Sequence, residues 1–164
     1  MRLASACMLS LIVAACSSDA DGYKPAMPNV ARFQSEVYPV LLRDCGFPTC
    51  HGSPQRQFRV WGPGRVRLDP DAPLFDNEFD AFTGKLKPQQ PNPSELSLTL
   101  RSATGFIDAN SPERSLLLRK PLATEAGGSG HLGVDRFARN VYRSTDSEGY
   151  VTLSRWVFTL VQVE

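Results

Sequence analysis

Two cysteines and a histidine follow one another in LLRDCGFPTCHGS, Leu41 to Ser53, in the order C-x4-C-H. Cys45, Cys50 and His51 offer three chemistries. A covalent haem site uses two thiols for thioether bonds to the vinyl groups and the next histidine for the iron; its usual form, C-x-x-C-H, is two residues shorter. A small disulfide uses the thiols alone. A zinc site would join Cys45, Cys50, His51 and the other histidine, His131, as a Cys2His2 set. Haem geometry most requires the Cys–His adjacency, which Cys50–His51 keeps. A disulfide leaves that adjacency unexplained, and adjacent ligands are awkward in one tetrahedron. Gly52 follows, expected to remove a side chain where the backbone passes a planar cofactor.

The thiol count narrows once the N-terminus is read. MRLASACMLSLIVAAC has one charge at Arg2, an apolar run from Leu3 to Val13, then small residues. This is the pattern of a secretory leader, too short to span a bilayer as a stable helix. Its end, Val13-Ala14-Ala15-Cys16, resembles the lipobox of bacterial lipoproteins, with Cys16 lipidated and first in the mature chain; an ordinary leader with an incidental cysteine is the plainer alternative. Ser17 after the lipidated cysteine resembles the outer-membrane-retained type. The expected organisation is residues 1–15 as leader, 16–29 as lipidated tether and 30–164 as the domain. Of the four cysteines, Cys7 leaves with the leader and Cys16 carries lipid. Cys45 and Cys50 remain, in an oxidising compartment where unprotected thiols seldom persist.

An electron-transfer haem takes a sixth ligand, usually Met or His. Met27 lies in the tether. His131, in GGSGHLG, sits among glycines that would let the backbone approach a ring face. Alone it would read as an exposed loop histidine; its standing rises because the chain has only two histidines.

The elements that must position these groups are mainly α-helical. In VARFQSEVYPVLLRDC, Phe33, Val37, Val40 and Leu41 recur at helical spacing, with a kink or break expected before Pro39. QFRVWGPGRVRLDPDAP reads as a small hairpin or an extended excursion around Gly62-Pro63-Gly64. Asp69 to Pro93 reads as a long surface loop. Asn92 as cap and Pro93 at the first position start a helix carrying Leu96, Leu98, Leu100 and Ala103. Ser111 and Pro112 repeat that start for a short helix closed by Pro121. TEAGGSGHLGVDRF is a Gly-rich loop. Tyr150, Leu153, Trp156, Val157 and Leu160 form an apolar stripe on a C-terminal helix. The simplest arrangement packs the two terminal helices on each other, Tyr150 and Trp156 against Phe33 and Val37.

Thirteen prolines, twelve glycines and 41% hydrophobic residues suit one loop-rich domain. A formal net charge of +1, falling to zero when Arg2 leaves, gives no electrostatic case for nucleic acid. Arg56, Arg59, Arg65 and Arg67 could pair haem propionates, though most are expected on a solvated loop face. No Ser/His/Asp set or paired carboxylate stands out, so an electron carrier is expected rather than an enzyme.

Four ordered blocks resemble the c-type cytochrome domains of bacterial lipoproteins and planctomycete-type multidomain proteins. They are FQSEVYPVLLRDCGFPTCHG (Phe33–Gly52), PERSLLLRKPL (Pro112–Leu122), GGSGHLGVDRF (Gly127–Phe137) and YVTLSRW (Tyr150–Trp156). Between about His51 and Pro112 nothing matches. The resemblance implies a small cytochrome c-like fold with N- and C-terminal helices packed together and long irregular loops. It also implies haem c attached at Cys45 and Cys50, with His51 as proximal ligand and His131 as distal ligand. The departures are the x4 spacing and a loop reading His131-Leu132-Gly133-Val134 where the family often has H-G-G-G. On this reading the protein shuttles single electrons at the cell envelope, exchanging them with a redox protein partner. It is lipid-anchored, in the outer membrane facing the periplasm or at the cell surface. The alternatives are a haem-free structural or binding lipoprotein with a Cys45–Cys50 disulfide, and a degenerate cytochrome fold kept for partner binding.

Overall fold

The computed structural model describes residues 29–72, 75–79, 86–88, 91–131 and 140–159. The expected leader, Cys16, the expected tether up to residue 28 and Leu160 lie outside the described residues. Among the described residues no helix is long and apolar enough to cross a membrane.

The chain enters through a capped helix. The Asn29 side chain accepts the Arg32 N–H at 2.9 Å, satisfying one of the free amides of the first turn. Helix α1 then runs through four consecutive segments, Val30–Arg32, Phe33–Val37, Tyr38–Val40 and Leu41–Cys45, alternating α and π turns. The expected break at Pro39 does not occur, and Tyr38 and Leu41 keep helical dihedrals. The wide π turn before Pro39, in which the Tyr38 N–H reaches the Phe33 carbonyl, gives the pyrrolidine ring room against the preceding turn. Phe33, Val37 and Leu41 are fully buried along one face.

That face meets the C-terminal helix α4, Glu148–Thr159, which buries Leu153, Trp156 and Val157. The Phe33 and Trp156 ring centres lie 5.1 Å apart. Trp156 is held by packing alone, since its indole N–H has no partner among the described residues. Each fully buried large apolar side chain contributes about 1.5–3 kcal/mol, so this seam is the main support of the fold. Tyr150 departs from expectation: it stands edge-on to Tyr142, ring centres 6.1 Å apart, and is only partly buried.

Helix α2, Pro93–Thr104, starts at Asn92, whose side chain accepts the Ser94 N–H at 2.8 Å. Its leucines are not its most buried face; Glu95, Thr99 and Ala103 are. The polar pair is tolerated because it fastens the preceding segment. Ser102 Oγ accepts the Arg59 N–H, Thr99 Oγ1 the Trp61 N–H and Glu95 Oε1 the Leu68 N–H, at 3.0, 2.9 and 2.9 Å. Three side chains at near-turn spacing thus lash residues 59–68 along the helix, a pattern that hydrophobic periodicity does not reveal.

Within the expected surface loop, strands β1 (Phe75–Phe79) and β2 (Leu86–Pro88) pair antiparallel, Phe75 with Pro88 and Phe79 with Leu86, across a register shift. After α2 comes a 3-10 turn, Pro112–Arg114, then the short helix α3, Leu116–Arg119. Ser111 does not cap it as expected. Asp108 Oδ1 accepts the Asn110 and Ser111 amides, and Ser115 Oγ accepts the Asp108 N–H.

Candidate functional site

The C-x4-C-H segment closes on itself. The last π turn of α1 delivers Cys45, with the Gly46 N–H donating to the Leu41 carbonyl at 2.9 Å. The Cys50 N–H and the Gly52 N–H both donate to the Phe47 carbonyl, at 2.8 and 2.9 Å, and the His51 N–H donates to the Cys45 carbonyl at 3.0 Å. The extra residues are absorbed in a tight turn, and both thiols reach the wall of one cavity. Gly52 serves this turn rather than a passing cofactor: a Cβ there would overlap the Gly46 carbonyl and crowd Phe47. Both cysteines are free thiols, Cys45 buried and Cys50 half-buried. Burial, reinforced by the charges of Asp44 and Cys50, pushes the Cys45 thiol up to about 12. It is therefore held protonated, a form that neither binds metal as thiolate nor oxidises readily.

His51 is aimed by the segment that follows. Its Nδ1 lies 2.9 Å from the Phe58 carbonyl. A carbonyl only accepts, so Nδ1 carries the proton and Nε2 keeps its lone pair. The Val60 N–H donates to the His51 carbonyl at 2.8 Å, and the Phe58 ring stands edge-on to the imidazole, centres 4.6 Å apart. Burial lowers the imidazole pKa, with the Phe58 hydrogen bond opposing and His131 and Arg56 adding to the fall. An oriented, neutral imidazole is the form that ligates a metal.

His131 arrives from the other side. The 3-10 turn Thr124–Ala126 ends in Gly127 at φ 94°, a left-handed position that favours glycine. The Gly128 N–H donates to the Ala123 carbonyl and the Ser129 N–H to the Arg119 carbonyl, both at 2.9 Å, and Lys120 Nζ to the Gly130 carbonyl at 3.3 Å. Pinned in this way, His131 places its ring 5.8 Å from that of His51, centre to centre, tilted by 36°. A metal held between two imidazole nitrogens at about 2 Å each sets the ring centres roughly 6 Å apart. The separation of the two rings therefore matches that of a bis-imidazole centre.

The cavity has a volume of about 860 Å³, in the upper part of the usual range for cofactor sites. Phe58, Phe106, Leu116, Leu117, Val141 and Leu153 supply its apolar wall, and Arg56 and Lys120 its cations. An apolar slot with two thiols, two facing imidazoles and two cations suits a flat, apolar, dicarboxylate-bearing macrocycle. The four sulfur and imidazole groups do not converge as a zinc set: among the described residues no three His, Cys, Asp or Glu side chains stand close enough to hold a metal ion.

Of the four arginines, only Arg56 reaches the cavity. The others are structural rather than a solvated face. Arg59 lies over the Trp61 ring at 5.0 Å and Arg65 over the Phe47 ring at 4.5 Å. Arg67 Nε pairs with Glu95 Oε1 at 2.8 Å, the two side chains 8% and 1% exposed. Two contributors were not singled out by sequence pattern. Lys120 lies within the LRKPL run, where nothing distinguishes it from a surface lysine. Tyr142 pairs with Pro121 and Ala123 through the backbone and donates its hydroxyl to Asp44 Oδ2 at 3.0 Å. It thereby ties the segment after α3 to the end of α1 beside Cys45. Burial, with the charges of Cys45 and Asp44, raises the Tyr142 pKa, so its hydroxyl stays a donor.

No family model, curated protein or solved structure matches this chain.

Proposed function

We propose that this protein is a c-type cytochrome domain that carries single electrons at a cell-envelope membrane. Haem c would be held covalently by Cys45 and Cys50, with His51 and His131 as its iron ligands. The observation that carries the reading is the 5.8 Å approach of the two imidazoles across a cavity whose wall holds both free thiols. Such a haem supplies a one-electron iron couple, at a lower potential with two histidines than with a methionine ligand. The chain's own residues do the rest. The Phe58 carbonyl fixes the His51 tautomer. The Arg119–Ala123 backbone and Lys120 pin the loop that carries His131. Arg56 and Lys120 supply positive charge at the cavity for two carboxylates, and the apolar wall offers a surface for a macrocycle's face. Lipid on Cys16 would confine the domain to the membrane surface and raise its effective concentration toward partners there.

The test is expression with a cytochrome c maturation system, followed by denaturation and haem staining or a pyridine haemochrome. Haem that stays with the denatured chain is the expected result. A matured chain without covalent haem rejects the reading, and if its two thiols also resist alkylation until reduced, the Cys45–Cys50 disulfide protein takes its place.

A further inference from the structure

We infer that Arg65 is the clamp that holds the lengthened cysteine loop closed and so keeps Cys45 and Cys50 on one wall. Its purpose rests on the haem reading above; its geometry does not. Every ordered residue costs conformational entropy, so a four-residue spacer needs more to fix it than a two-residue one. The turn's internal hydrogen bonds are three along its own backbone and a weak one between Thr49 Oγ1 and Cys50 Sγ at 3.8 Å. Phe47, in the middle of it, is 46% exposed and is not held by the core.

Arg65 supplies what the turn lacks, at three points. Its Nε donates to the Leu42 carbonyl at 2.8 Å, one of the last carbonyls of α1, where intrahelical donors run out. Its stem crosses Gly46 so closely that a Cβ there would stand 2.9 Å from Cδ. Its guanidinium lies over the Phe47 ring at 4.5 Å, a cation–π contact for which the planar, weakly hydrated guanidinium is better suited than a lysine ammonium.

The segment that carries Arg65 is built for this. The Gly62 N–H donates to the Val66 carbonyl and the Arg65 N–H to the Gly62 carbonyl, both at 3.0 Å, and Gly64 takes a left-handed φ of 68°. Tyr38 donates its hydroxyl to the Trp61 carbonyl at 2.8 Å, fixing the turn's base to α1. The same excursion grips His51 through Phe58 and Val60. Residues 58–65 thus bracket the cysteine turn, holding its end at His51 and its start at Leu42–Phe47. The Gly-Pro-Gly-Arg sequence is the counterpart of the two extra residues between the thiols.

Each thioether forms when an S–H adds across a vinyl group. The C–S bond forms at one carbon, the proton goes to the other and the C=C π bond is lost. No oxidant is consumed, and both sulfurs must arrive as thiols in register with the two vinyl groups. Loss of the clamp should therefore cost the second bond before the first.

Two arms test this on the full chain. In haem-free protein, alkylation of Cys45 by iodoacetamide is followed by mass spectrometry, with circular dichroism confirming a folded chain. Arg65→Ala is expected to speed it about tenfold through local opening of the turn, with Arg65→Lys between wild type and Ala. In matured protein, peptide mass is expected to show two thioethers in wild type and mostly one, with an alkylatable cysteine, in Arg65→Ala. Unchanged Cys45 alkylation, or double attachment at the wild-type level, overturns the clamp. If Arg65→Ala does not fold, Arg65→Lys weakens and Phe47→Leu removes the cation–π contact, and unchanged alkylation in both overturns it. A wild-type chain without covalent haem rejects the haem reading instead, and the alkylation arm still decides the clamp.

Discussion

The imidazoles of His51 and His131 face each other 5.8 Å apart, although one follows the cysteine turn and the other a glycine-rich turn far along the chain. Their roles differ in how each is held. His51 is locked by its own hydrogen bond to Phe58, while His131 depends on the loop that pins Gly128, Ser129 and Gly130. His131→Ala in matured protein is therefore expected to keep covalent haem while its low-spin spectrum turns high-spin, and added imidazole should restore the low-spin form. An unchanged visible spectrum would remove His131 from the site.

The haem-free chain is expected to lose stability toward both acid and alkali, for opposite reasons. Burial holds the His51 imidazole below its ordinary 6.5, so on acidification the unfolded chain takes up the proton first. That stability is complete above about 6.5 and is lost as pH falls below it. Burial raises the Cys45 thiol from 9.0 to about 12, so on alkalinisation the unfolded chain releases its proton first. That stability is complete below pH 9.0 and is lost from 9.0 toward 12, at roughly 1 kcal/mol per pH unit. The buried tyrosines, Tyr38 and Tyr142, start from 10.0, a unit later. Urea midpoints measured from pH 5 to 10 in Cys45→Ala should lose the earliest part of the alkaline fall; its persistence would assign that limb elsewhere.

The Arg67–Glu95 pair is buried on both sides and lies outside the cavity. Removing one member leaves a buried charge uncompensated, which costs about 3–5 kcal/mol. Arg67→Met should approach that loss in denaturant unfolding. The double variant Arg67→Met, Glu95→Leu should recover most of it, short of the hydrogen bond from the Leu68 N–H. A double variant no more stable than Arg67→Met would mean that the pair's geometry, not its charge balance, holds residues 59–68.

Helical periodicity made the seam between α1 and α4 legible, because Phe33, Val37, Leu41, Leu153, Trp156 and Val157 recur at the spacing that a buried face requires. Asn92 and Pro93 marked the start of α2 by capping chemistry. Pro39 misled only as to a break: the helix continues because the cost of proline depends on the turn before it, and a π turn has no sequence signature. Arg67 misled because charge types normally mark solvated faces; its burial depends on meeting Glu95 across a fold not yet built. In the site, Cys45, Cys50, His51 and His131 were legible as residue types with few competitors. What brings them together was not: Lys120, Tyr142 and Arg65 act through backbone carbonyls, a neighbouring carboxylate and one aromatic ring, contacts that no spacing rule encodes.

Gly52→Ala tests the closure of the cysteine turn most directly. The added Cβ would overlap the Gly46 carbonyl and press on the Phe47 carbonyl carbon. Both are backbone, so no side-chain rotation relieves the clash. The turn must open at the His51–Gly52 end, where the His51 N–H holds the Cys45 carbonyl and the Gly52 N–H the Phe47 carbonyl. Overpacking of this kind costs about 1–3 kcal/mol, and here it falls where the two thiols are set relative to each other. Gly105→Ala is the matching control: its Cβ would meet only ordinary contacts, at 3.5 and 3.6 Å, and its φ of −64° suits any residue. The expected outcome is a Gly52→Ala chain that unfolds at lower urea and carries mostly singly attached haem, beside a Gly105→Ala chain indistinguishable from wild type. Equal double attachment in both variants would show that the turn's closure, and with it the placement of Cys45 against Cys50, is not what admits the longer spacer.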